Sequence, residues 1–136
     1  VNTPFDDIAP ALSVKGNRLF YSSKGFKTMG GFDIFVSQRV KKTWTKPVNL
    51  QYPINTTDDD VFYQPIGNGS IGYVSRTMPQ SFGENDIYRV EFNLDSLLQS
   101  TGIPLVKEQL FFNSSCQSCF PKCNKSRGDR IFTVKP

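Results

Sequence analysis

Three cysteines fall within eight residues near the end of the chain: Cys116, Cys119 and Cys123, in the stretch CQSCFPKC. The C-x2-C spacing is a half-site for zinc or an iron–sulfur cluster, and also the spacing of a redox dithiol. Phe120 stands where a haem-attachment signature requires His. Three thiolates leave a tetrahedral metal one ligand short. Three readings therefore stand side by side: a disulfide or structural cysteines with one thiol left over, a metal site completed by another segment, and redox chemistry. Lys122, Lys125 and Arg127 favour the thiolate form at any of the three.

Carboxylates form the other candidate set. Asp33 and Asp86 each follow a glycine turn and open a β-rich run. An aspartate so placed accepts backbone N–H groups and fixes the turn; the competing role is a metal or sugar ligand. Asp6-Asp7 and Asp58-Asp59-Asp60 form a second acidic group. It lacks the glycine-punctuated oxygen ladder of a calcium loop, so a structural or solvated role is expected. The chain has no His, which removes Ser-His-Asp and Cys-His catalysis and every imidazole metal site. No Gly-x-Ser-x-Gly elbow occurs either. The expectation is a protein that is not an enzyme and holds no cofactor, with Cys116, Cys119 and Cys123 as the alternative metal or redox centre.

The elements that position these residues come from a repeat. GGFDIF at Gly30 returns as GENDIY at Gly83, Asn2-Thr3 returns as Asn55-Thr56, and Asp6-Asp7 returns as Asp59-Asp60, each 53 residues on. NRLFYSS (Asn17 to Ser23) aligns with GSIGYVS (Gly69 to Ser75) at an offset of 52. Within one unit, DDIAPALSV, RLFYSS, FDIFVSQRV and KTWTKPVNL alternate or are rich in β-branched and aromatic residues, as strands are. Pro47 places the last of these at a sheet edge. VFYQPIG, SIGYVSR and DIYRVEF repeat the pattern. Four short strands in about fifty residues is the size of a β-propeller blade.

These residues resemble a known family. The pattern of DD, LFYSS, GGFDIFVS, W-x-x-PVNL and PINT-x-DD is similar to the WD-repeat-like β-propeller repeat of TolB type, as found in cell-envelope proteins of Bacteroidota that carry OmpA-like domains. The resemblance covers roughly Val1 to Phe92. The second unit departs from it, with Glu84 and Asn85 where Gly31 and Phe32 stand, Val74 in place of the first serine, and no Trp-x-x-Pro strand after Phe92. The resemblance implies a periplasmic or outer-membrane-associated location and a scaffold role.

The fold expected is all-β: two blade-like antiparallel sheets of an incomplete propeller, with a short, mostly irregular C-terminal extension. The divisions are 1–54, 55–92 and 93–136. Period-2 placement puts Leu19, Tyr21, Ile34, Val36, Ile87 and Val90 in the interior. NLDSLLQSTGIP reads as one short helix capped at Asp95, and KEQLFFNSS and DRIFTVKP as two further strands, one completing the second sheet. Two blades leave two outer faces open. The tail is expected to cover one through Leu97, Leu98, Phe111 and Phe112. The other, with Trp44, Phe20 and Tyr21 as interface candidates, is expected to meet a protein partner; a glycan on the propeller face is the alternative.

At 38% hydrophobic and 13% aromatic residues the composition is that of a globular chain. A net charge of +4, with basic residues scattered apart from RVKK (Arg39 to Lys42) and KCNKSR near the end and no run resembling a nucleic-acid arm, argues against nucleic acid. No apolar stretch approaches the ~20 residues of a membrane span. The opening VNTPFDDIAP has no basic or apolar leader region and reads as a mature product or a segment of something longer.

Overall fold

The computed structural model describes residues 1–77, 82, 84–102 and 131–133, the last three through their backbone pairing. The chain forms two sheets that pack face to face and do not close on one another. Strands β1 (Asp7–Leu12), β2 (Arg18–Ser23) and β3 (Asp33–Val40) run as an antiparallel meander. The edge strand beyond them is broken into β4 (Thr43–Trp44) and β5 (Val48–Asn49), which pair with opposite ends of β3. Pro47 lies in the break, where a residue without an N–H interrupts the ladder at no further loss. The second sheet is β6 (Gln64–Ile66), β7 (Ile71–Arg76) and β8 (Asp86–Glu91), again antiparallel.

Helix α1 (Leu94–Ser100) follows. Its cap is Asn93, whose Oδ1 accepts from Ser96 N at 2.9 Å, rather than Asp95. Asp95 instead reaches Arg18, with Nη2 and Oδ1 2.5 Å apart. Leu94 and Leu98 are fully buried in the cluster that holds the two sheets together. The helix therefore closes one end of the inter-sheet core and does not cover an outer face as expected. Strand β9 (Ile131–Thr133) adds to β8 in parallel, where antiparallel pairing was expected. Phe111 and Phe112 lie outside the described residues.

The repeat holds at 53 residues throughout. Ser23 pairs Asp33, and Arg76 pairs Asp86; Leu12 pairs Leu19, and Pro65 pairs Gly72. The offset of 52 read for the second strand is one residue out. In a strand such a slip moves every side chain to the opposite face. Even the unusual backbone recurs: Gly16 and Gly69 sit at φ +66° and +91°, and Ala9 and Phe62 at φ +52° and +61°.

In this register the sheets stack head to tail. The first sheet presents Phe20, Ile34 and Val36 to the second; the second answers with Tyr63, Val74, Tyr88 and Val90. The Phe20 and Tyr63 rings lie 4.9 Å apart. Val74, Tyr88 and Val90 are the repeat equivalents of Tyr21, Phe35 and Ser37, on the far side of the first sheet. Ile87, Tyr73 and Arg89 are the equivalents of Ile34, Phe20 and Val36, and they face away. Ile87 is accordingly 77% exposed, against the burial expected of it. Leu19 is only partly buried, while Tyr21, Ile34, Val36 and Val90 are buried. No helix among the described residues is long and apolar enough to cross a membrane.

Candidate docking site

Asp33 is fully buried at the entrance to β3. Its carboxylate accepts from Met29 N at 2.9 Å and from Asn49 Nδ2 at 2.6 Å. Asp86 accepts from Phe82 N at 2.8 Å, the same bond one repeat later. In both units the carboxylate satisfies the turn that feeds the strand.

The second acidic set folds into a clip. In the first unit, Asp7 Oδ2 accepts from Thr3 N at 2.6 Å and from Thr3 Oγ1 at 3.0 Å, and Thr3 Oγ1 accepts from Phe5 N at 3.2 Å. In the second unit, Asp60 Oδ2 accepts from Thr56 N and, at 3.1 Å, from Thr56 Oγ1, which accepts from Asp58 N at 3.2 Å. One local motif is thus built twice.

The second clip is engaged. Asn55 Oδ1 accepts from Ile34 N at 2.8 Å and Asn55 Nδ2 donates to Ile34 O at 2.9 Å. Asp59 Oδ1 accepts from Phe32 N at 2.8 Å, and Asp60 N donates to Phe32 O at 2.7 Å. The paired glycines of the first sheet admit the clip. A Cβ at Gly30 would lie 2.5 Å from the carbonyl oxygen of Asp58, and one at Gly31 would lie 1.9 Å from Asp59 Oδ1. Arg76 ties the same junction together, donating to Pro53 O at 3.0 Å and to Ile54 O, with Asp60 at 3.5 Å.

The first clip has the same internal bonds, yet Asn2 is exposed where Asn55 is buried. Beside it a cavity of about 120 Å³ opens between Val1, Asn2, Ile8, Pro10, Leu19 and Tyr21, floored by Asp7. One repeat later, Ile54, Asn55, Tyr63 and Val74 stand at four of those positions and are all buried against the first sheet. The cavity therefore occupies the place that Phe20 and Ile34 fill in the second unit. Burial raises the Asp7 carboxyl, but hydrogen bonds from Ser23 and Thr3 outweigh it and hold the group below the usual aspartate value. At Asp60 deeper burial wins over the Thr56 bonds and the Arg76 charge, and the group is pushed up.

The aromatic candidates separate. Phe20 is completely enclosed between the two sheets, so its contact lies within the chain. Tyr21 lines the open cavity and is 5% exposed. Trp44 is half-buried on the edge strand, away from the cavity lining. The first sheet's far face is thus partly covered by its own chain: Phe26 stacks on Phe35 at 5.1 Å, and Tyr21 lies 6.3 Å from the same ring. Its open part is the cavity, with exposed Pro10 and Leu12 beside it.

A second recess, of about 340 Å³, lies between Thr56, Asp58, Asp59, Asp60, Arg76 and Asn85. Among the described residues no three carboxylate or thiol groups are gathered to hold a metal ion. Cys116, Cys119 and Cys123 lie outside the described residues. Sequence reading found the recurring Asn-Thr and Asp-Asp pairs but gave Asn2 and Asn55 no role. Comparison with protein-family models, curated proteins and solved structures finds no match.

Proposed function

We propose that this chain is a non-catalytic, protein-binding segment of a β-propeller: a rigid scaffold whose open first-sheet face receives a protein partner. The observation that carries this reading is the cavity beside Asn2 and Tyr21, an apolar recess next to an already folded hydrogen-bonding clip. Asp7 Oδ1 and the Tyr21 hydroxyl are buried at this cavity without a hydrogen-bond partner, and an apolar recess beside such polar groups supports a docking role. The resemblance to TolB-type repeats of Bacteroidota envelope proteins supports a periplasmic or outer-membrane-associated setting. The absence of His supports a binding role over hydrolytic or transfer chemistry.

The test is a hydrophobic dye on the isolated chain. Dye fluorescence is expected, and Leu19→Ser together with Leu12→Ser is expected to reduce it while circular dichroism stays unchanged. A chain that binds no dye and sediments as an inert monomer would remove the reading. So would a hydrolase or transferase activity that persists through purification and maps to residues 1–92.

A further inference from the structure

We infer that the Asn2–Asp7 clip and its cavity receive a partner sheet of the same repeat type, one with glycine at the position of Gly31, and that Glu84 bars a second copy of this chain from that place. The inference rests on the binding role proposed above and names the partner's chemistry.

The occupant is read from the contact the chain makes with itself. Asn55, Asp59 and Asp60 seize the entrance to β3 through four hydrogen bonds to the backbone of Phe32 and Ile34. Phe20 and Ile34 then fill the hollow behind the clip. Asn2, Asp6 and Asp7 hold the same positions one repeat earlier, with the internal Thr3–Asp7 bonds already formed. A clip folded in advance loses less entropy on docking. Its partner needs an inner strand that turns an unpaired N–H and an accessible C=O toward the clip at the Ile34 position, an apolar face, and a turn that comes close enough.

The last requirement excludes self-docking. The second unit's far face offers Ile87, 77% exposed, where Ile34 stands in the first. At the turn, however, Glu84 replaces Gly31. A Cβ at Gly31 already falls 1.9 Å from Asp59 Oδ1, so a glutamate there meets the clip aspartate sterically and with like charge. Arg89 replaces Val36 on the same face and lies 3.5 Å from Glu91. Glu84 and Arg89 thus put charge at the turn and on the inner strand of a face that otherwise exposes Ile87 and Tyr73. The docking is therefore heterologous and one-sided: the chain accepts a neighbour at the clip, and among the described residues Glu84 stands where the second sheet would have to offer a matching glycine.

The experiment gives each half of the contact to a separate full-length chain. One is wild type, with its clip intact. The other carries Glu84→Gly, Asn85→Phe and Arg89→Val, which restore the turn and face, together with Asn2→Ala and Asp6→Ala, which disable its own clip. Sedimentation of the mixture is expected to show a one-to-one complex, and wild type alone to remain a monomer. Replacing the wild-type partner by the Asn2→Ala, Asp6→Ala chain is expected to reduce association at least tenfold. A second acceptor carrying Glu84→Gly as its only turn change, with the same two clip substitutions, serves if the larger variant does not fold. No complex with either folded acceptor, or equal binding by the clip-disabled chain, would overturn the occupant. Self-association of wild type would overturn the role of Glu84. Dye binding that survives in either case leaves the open apolar face standing and isolates the failure to the partner's identity.

Discussion

The Asn55 carboxamide brackets the backbone of Ile34, 21 residues earlier, accepting from its N–H at 2.8 Å and donating to its C=O at 2.9 Å. It is fully buried, and it also donates to Asn49 Oδ1 at 2.7 Å. One side chain thereby satisfies both polar groups of a β3 residue where the second unit joins the first. Asn55→Ala strands that buried N–H, while the C=O keeps the Leu50 N–H at 3.1 Å. The substitution is expected to cost about 3 kcal/mol. Asn2→Ala removes the equivalent side chain where it is exposed, and is expected to leave the isolated chain's stability unchanged. Urea unfolding of the two variants beside wild type provides the comparison, and a large effect at Asn2 would contradict an open clip.

Gly69 and Gly16 provide a second matched pair. Both have positive φ, so alanine at either is strained by about 1 kcal/mol. Only at Gly69 would the new Cβ meet a neighbour, the Phe20 ring at 2.2 Å; at Gly16 it meets nothing within 4 Å. Gly69→Ala is expected to destabilise by about 3 kcal/mol, since overpacking adds to strain, and Gly16→Ala by about 1 kcal/mol. Equal thermal shifts for the two would argue that the sheets do not stack in this way.

The turn carboxylates should differ in weight although they repeat. Asp33 is fully buried and holds Asn49 as well as its turn; Asp86 is half-buried and accepts from Phe82 N. Asp33→Ala is expected to cost about 2 kcal/mol, and Asp86→Ala under about 1 kcal/mol. Chemical denaturation reads both. Asp33→Ala with unchanged stability but altered calcium or glycan binding would reassign the residue.

Tyr63 predicts the alkaline limit of the fold. Burial pushes its hydroxyl well above the ordinary tyrosine value, and that hydroxyl donates to Gly69 O at 2.8 Å. Because the folded-state value is raised, the contribution is complete below the unfolded value near ~10 and is lost as pH rises through and beyond it. Stability is expected to fall steeply above about pH 10. Tyr63→Phe should be less stable at neutral pH through its lost hydrogen bond, and should show a shallower alkaline decline. Parallel pH profiles for the two proteins would refute the assignment.

Sequence alone determined the period, the strands of each unit, the short helix and the turn carboxylates, because each is written in neighbouring residues: alternation, glycine turns, and an aspartate four residues after the N–H it accepts. It also marked Asn2-Thr3 and Asn55-Thr56 as recurring. What these pairs do was decided by tertiary structure, since Asn55 finds its partner in Ile34, on another sheet. Facing was decided there too. In a sheet covered on both sides, apolar residues occupy both phases of the strand, so alternation cannot tell inside from outside. Ile34 and Ile87 are the same residue at equivalent positions, and one is 1% exposed and the other 77%. Only the presence of a sheet opposite the first, and the side chain of Glu84 in place of Gly31's hydrogen at the second, separates them.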